Sequence, residues 1–72
     1  MGTVAELFDA FDGPANVGRA IGVTTEHAAA MKRRQSIPVP YWPKLIAAAR
    51  ERRISGITYE SLTYLHAERA ES

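Results

Sequence analysis

Apolar residues recur at three- and four-residue spacings in five short windows of this chain, a pattern that predicts five helices and no strands. In the first window, about Val4 to Phe11, the residues Val4, Leu7, Phe8 and Phe11 form one core-facing stripe. Asp12-Gly13-Pro14 breaks it. Pro14 suits the first turn of a second helix, where its missing N–H leaves nothing unpaired. Val17 and Ile21 then share a face, and Gly18 stands beside them, where a minimal side chain admits another helix at close range. Gly22 ends this helix, because glycine takes the left-handed conformation that reverses the chain, and Val23 follows as a buried plug. Thr24 and Thr25 are each able to cap a third helix. That helix turns Ala28 and Met31 inward and ends on Lys32, Arg33 and Arg34, where cations complement the C-terminal dipole.

Proline punctuates the next segment. Gln35 to Pro40 reads as a connector, since residues before proline are pushed toward extended conformations. A fourth helix starts close to Tyr41, with Pro43 in its first turn and Leu45, Ile46 and Ala49 as its apolar face. Ser55-Gly56 is its expected stop. Thr58 opens a fifth helix, about residues 58–69, with Leu62 and Leu65 three apart. Tyr41 and Trp42 read as core or interface anchors in preference to base-stacking rings.

A helix, a tight turn and a second helix over about residues 14–34 make the layout of a helix-turn-helix DNA-binding unit. The spacing of Gly18, Ile21, Gly22, Val23, Ala28 and Met31 resembles the Cro/C1 type of phage-derived repressor, and more closely the small YdaS-like Cro regulators. Lys32-Arg33-Arg34, Ile37-Pro38 and Tyr41-Trp42-Pro43 add to that resemblance, which covers roughly residues 4 to 54. It implies an all-α, five-helix, lambda-repressor-like domain. Two positions depart from the pattern. Met31 stands where relatives often carry tryptophan, a difference that bears on the detail of helix packing. Ala29 and Ala30 stand where relatives often carry polar base-reading side chains.

Composition narrows the class. The 72 residues are read as a single domain, 1–72, whose core is marginal without close helix packing or a partner subunit. No cysteine is present, so disulfides, thiolate zinc sites and thiol catalysis are excluded. No basic segment followed by an apolar run opens the chain, and no stretch has the length of a membrane helix, so a cytoplasmic protein is expected. The formal net charge is only +1, but Arg19 to Arg53 holds eight basic and two acidic residues, a net +6. Glu6, Asp9 and Asp12 precede that segment, and Glu60, Glu68 and Glu71 follow it. A basic middle between acidic flanks attracts phosphate.

In a helix-turn-helix the second helix enters the major groove with its N-terminal residues against base edges. Thr24, Thr25 and Glu26 are therefore the first candidates, and Ala29, Ala30 and Arg33 come next on the face turned away from Ala28 and Met31. Methyls of Thr and Ala suit the thymine methyl, a carboxylate accepts from cytosine N4, and Arg pairs with guanine or phosphate. Glu26 is equally well explained by the positive end of its helix. Asn16 and the first N–H groups of the second helix suit a phosphate. Arg19, Lys32, Arg34 and Lys44 add sequence-independent phosphate contacts. Arg50, Arg52 and Arg53 read as a solvated helix end.

Enzymatic chemistry finds no support. His27 and His66 are read as lone surface histidines without a triad or metal partner, and no Gly-rich phosphate loop occurs. No cofactor, metal or small-molecule ligand is expected. The expected function is a sequence-specific transcription regulator, a small repressor that occupies promoter DNA through the helix at residues 24–34. Double-stranded DNA and a second copy of the chain are the expected partners, the homodimer forming through Tyr59, Leu62 and Leu65 with Tyr64 and His66 nearby. Two alternatives stay open: an antitoxin or phage-type regulator that also binds a partner protein, and a protein-interaction module without DNA binding.

Overall fold

A computed structural model of the chain describes residues 2–70, with side chains of the last helix described as far as Ala67. Its elements are α1 (Val4–Ala10), α2 (Pro14–Ile21), α3 (Thr25–Arg34), a 3₁₀ turn (Val39–Tyr41), α4 (Trp42–Glu51) and α5 (Tyr59–Ala70). All regular structure among the described residues is helical, and none of these helices is long and apolar enough to cross a membrane. Glu71 and the side chain of Glu68 lie outside the described residues, so the acidic C-terminal flank is represented only by Glu60.

Hydroxyl caps start three of the helices. Thr3 Oγ1 accepts from the Glu6 N–H at 3.1 Å, and Thr24 Oγ1 accepts from the His27 N–H at 3.1 Å. Thr58 and Ser61 cap reciprocally: the Ser61 N–H donates to Thr58 Oγ1 at 3.0 Å, and the Thr58 N–H donates to Ser61 Oγ at 2.9 Å. Each such cap contributes about 1 kcal/mol by satisfying an orphan donor. Pro14 and Pro43 sit in the first turns of α2 and α4, as their fixed φ favours.

Four helices end in one way, on a left-handed residue followed by a hydrogen bond back across five residues. The left-handed residues are Asp12, Gly22, Gln35 and Arg53. The closing N–H groups are Gly13 to Phe8 O, Val23 to Gly18 O, Ser36 to Met31 O and Ile54 to Ala49 O, at 2.8 to 3.1 Å. These bonds satisfy carbonyls the helices would leave unpaired. This corrects the expected stop of the fourth helix. Arg53, and not Ser55-Gly56, reverses the chain, so α4 ends at Glu51. The connector is likewise shorter than expected, because Val39 and Pro40 belong to the 3₁₀ turn.

One apolar cluster draws on every helix. Leu7, Phe8 and Phe11 from α1 and its cap meet Val17 and Ile21 from α2, Ala28 and Met31 from α3, Leu45 and Ala49 from α4, and Leu62 and Leu65 from α5. Val23 packs against this cluster but is only half-buried, so it is not the sealed plug expected after Gly22. Ile46 is also half-buried, and Trp42 and Ala48 take the remainder of the inward face of α4. α2 packs most extensively on α3, and also on α4.

Candidate nucleic-acid interface

The α2–turn–α3 unit is held by backbone proximity. Gly18 presents no side chain to the turn, and a Cβ there would lie 2.8 Å from Val23 O and 3.2 Å from Thr24 O. Any larger residue pushes the turn away from α2. Gly22 serves differently. Its φ of 81° is left-handed, while the nearest atom to an added Cβ is the mobile Lys44 Nζ at 3.8 Å, so conformation and not space demands glycine.

The geometry of α3 sorts its side chains. Ala28 and Met31 are buried, and by helical periodicity Glu26 and Arg33 point opposite them with Ala29 and Ala30 alongside. Glu26 and Arg33 are exposed, whereas Ala29 and Ala30 are half-buried. Which of Thr24 and Thr25 caps the helix, left open by sequence, is decided by the structure. Thr24 takes the cap, and Thr25 stands exposed at the first helical position. His27 is exposed on the flank, its ring edge-on to Tyr41 with centroids 6.3 Å apart.

Asn16 is tied to Arg19 through its acceptor only. Its Oδ1 accepts from Arg19 Nη2 at 2.7 Å, leaving its amide N–H₂ group and the N–H groups of Ala15 and Asn16 at the start of α2. The same bond orients Arg19, whose guanidinium retains four N–H donors.

The cations of the basic segment separate into groups. Arg33 and Arg34, with Lys32 one residue earlier, stand at the end of α3, where they border a depression shared with Gly2, Thr3, Val4 and Leu65. Arg19, Lys44 and Arg52 line an open groove of about 360 Å³ between α2 and α4, floored by Ala20 and Ala48 and carrying one acid, Glu51. Arg50 belongs to a third depression, with Pro43, Ile46, Ile57 and Tyr59. Arg52 is more than a solvated helix end: its guanidinium carbon lies 5.6 Å from the Phe11 ring centroid, over the edge of the core. Lys44 and Arg52 join Arg19 only in three dimensions, since they arrive from the two ends of α4.

His66 corrects another expectation. It is half-buried, and Nε2 accepts from the Ile37 N–H at 2.9 Å while Nδ1 lies 2.7 Å from Leu62 O. Leu62 and Leu65 are likewise consumed by the core. Of the residues assigned to a partner surface, Tyr59 and Tyr64 remain exposed, at 54% and 59%. Helical spacing directs those two about 140° apart, so they do not form one patch.

No protein-family model matches this chain, and neither a curated protein nor a solved structure matches it.

Proposed function

We propose that this chain is a sequence-specific DNA-binding regulator of lambda-repressor-like fold, a small repressor that occludes promoter DNA by placing α3 in the major groove. The observation that carries the reading is the pairing of a backbone-tight α2–α3 turn at Gly18 with an α3 whose outward face exposes Thr25, Glu26 and Arg33 with the half-buried Ala29 and Ala30 alongside, and whose last turn is cationic. Alanines on that face let the helix sit deep against base edges, and Lys32, Arg33 and Arg34 meet phosphates at its end.

A face with Thr25, Glu26, Ala29, Ala30 and Arg33 supplies few base contacts, so two copies acting on an inverted repeat are part of the proposal. Half-site centres about 34 Å apart follow from one turn of the duplex. The C-terminal part of the chain forms the contact between copies, through one of the two separate faces on which Tyr59 and Tyr64 are exposed.

Selection of binding sites from random duplex DNA, followed by affinity measurements over a salt series, tests the reading. An enriched inverted repeat whose affinity falls steeply with salt is the expected result. Absence of any enriched sequence, together with no measurable DNA affinity at low salt, overturns it. Light scattering of the complex then counts the copies bound, and a single copy on an asymmetric site removes the dimer.

A further inference from the structure

Ile37 is buried, and side chains from two different helices capture both polar groups of its backbone. Its N–H donates to His66 Nε2 from α5 at 2.9 Å, and its carbonyl accepts from Trp42 Nε1 of α4 at 2.8 Å. The His66 ring is itself fixed. Because Nε2 is an acceptor, Nδ1 carries the hydrogen and donates it to Leu62 O at 2.7 Å, and the ring lies 5.2 Å from the Trp42 ring.

Only Gln35 and Ser36 separate Ile37 from α3, and neither gives slack. The Gln35 N–H returns to Lys32 O and the Ser36 N–H to Met31 O, both at 3.1 Å, while the Gln35 side chain also donates to Lys32 O at 3.2 Å. Displacing Ile37 therefore displaces the last turn of α3. Leu65, the residue before His66, borders the same depression as Arg33 and Arg34.

We infer that His66 is a positioning residue for the cationic end of α3: through the Ile37 peptide it sets where Lys32, Arg33 and Arg34 stand. The DNA-binding consequence rests on the proposed function above, whereas the mechanical link does not. Two substitutions separate loss of the acceptor from loss of the ring. His66→Phe keeps an aromatic ring and leaves the buried Ile37 N–H without a partner, and His66→Gln restores an acceptor near the position of Nε2. Trp42→Phe removes the other half of the clamp and serves where His66→Phe does not fold.

Amide hydrogen exchange and amide chemical shifts, read at a temperature where each protein is fully folded, test the link. In His66→Phe the amides of Ile37 and Ser36 should exchange about tenfold faster or more, and those of Lys32 to Arg34 should shift, while α2 amides stay unchanged; His66→Gln should reverse these effects. Unchanged Lys32–Arg34 amides in both His66→Phe and Trp42→Phe overturn the inference, whether or not the protein binds DNA. With DNA as probe, His66→Phe and Arg34→Ala should combine less than additively, because the first already withdraws the group that the second deletes. Strict additivity in that cycle also overturns it. Failure of the wild-type chain to bind any duplex sinks the proposed function instead and leaves the exchange experiment to decide.

Discussion

The carbonyl oxygen of Val23 stands 2.8 Å from the point where a Cβ on Gly18 would begin. Backbone, not a movable side chain, occupies that space, so the relation between α2 and the start of α3 depends on the absence of one methyl group.

Gly18→Ala should therefore destabilise the fold by roughly 1 to 3 kcal/mol, and Gly18→Val by more, through overpacking against the turn. Gly22 offers the internal contrast. There Gly22→Asn should cost well under about 1 kcal/mol, since asparagine tolerates the left-handed conformation and nothing rigid obstructs it. Chemical denaturation of the three variants checks the order. Equal losses for Gly18→Ala and Gly22→Asn contradict the close approach of turn and helix.

Arg53 closes α4 at a φ of 58°, a conformation that costs a side-chain-bearing residue about 1 to 2 kcal/mol. Glycine avoids that cost but loses more freedom on folding, so Arg53→Gly should give a net gain of roughly 0.5 kcal/mol. The midpoint of urea unfolding should rise with an unchanged slope. Gln35→Gly should gain less, because the Gln35 side chain also bonds Lys32 O. A lower midpoint for Arg53→Gly places the reversal of the chain elsewhere.

Local punctuation explains how much of the fold was legible. α2 starts at Pro14 and stops at Gly22, and α3 starts at its Thr24 cap, so proline, glycine and threonine marked these three boundaries directly through their own backbone or hydroxyl groups, whereas α3 stops on a left-handed Gln35. The end of α4 escaped because an arginine holds its left-handed position, and no property of arginine announces that. His66 lies four residues after Leu62, on the same inward stripe, which was a signal available to spacing alone. Its partner was not legible, since Ile37 lies 29 residues away and the bond exists only once α5 has packed. The candidate interface divides similarly. The outward face of α3 follows from helical periodicity, whereas the meeting of Arg19 with Lys44 and Arg52 depends on the crossing of α2 and α4.

Arg33→Ala and Arg34→Ala should weaken binding to every DNA sequence to a similar degree. Both side chains are exposed at the cationic end of α3, where they suit phosphate better than base edges. Removing one phosphate contact should lower the slope of log affinity against log salt by about one unit. Binding titrations over a salt series measure this directly, and slopes equal to wild type in both variants remove the two residues from the interface.

Specificity should reside in Thr25, Glu26 and Ala30, by a different mechanism. Thr24 Oγ1 accepts the His27 N–H as the helix cap, while Thr25 and Glu26 stand exposed in the first turn of α3. Ala30 lies one turn beyond Glu26 on the outward side. If α3 enters the groove as proposed, Glu26 accepts from cytosine N4, and deleting such an interaction costs about 1 to 3 kcal/mol at one base pair while leaving the phosphate interactions intact. Glu26→Ala should thus relax one position of the preferred site. Ala30→Gln adds a bidentate group that favours adenine, so it should create a preference where the wild type has little. The double variant should keep or slightly raise the wild-type affinity for nonspecific DNA, because no cation is removed and Glu26→Ala deletes one negative charge on the face of α3 placed against DNA. Selection from random duplexes, run in parallel for wild type and double variant, decides the matter: identical consensus sequences would show that this face of α3 does not read the bases.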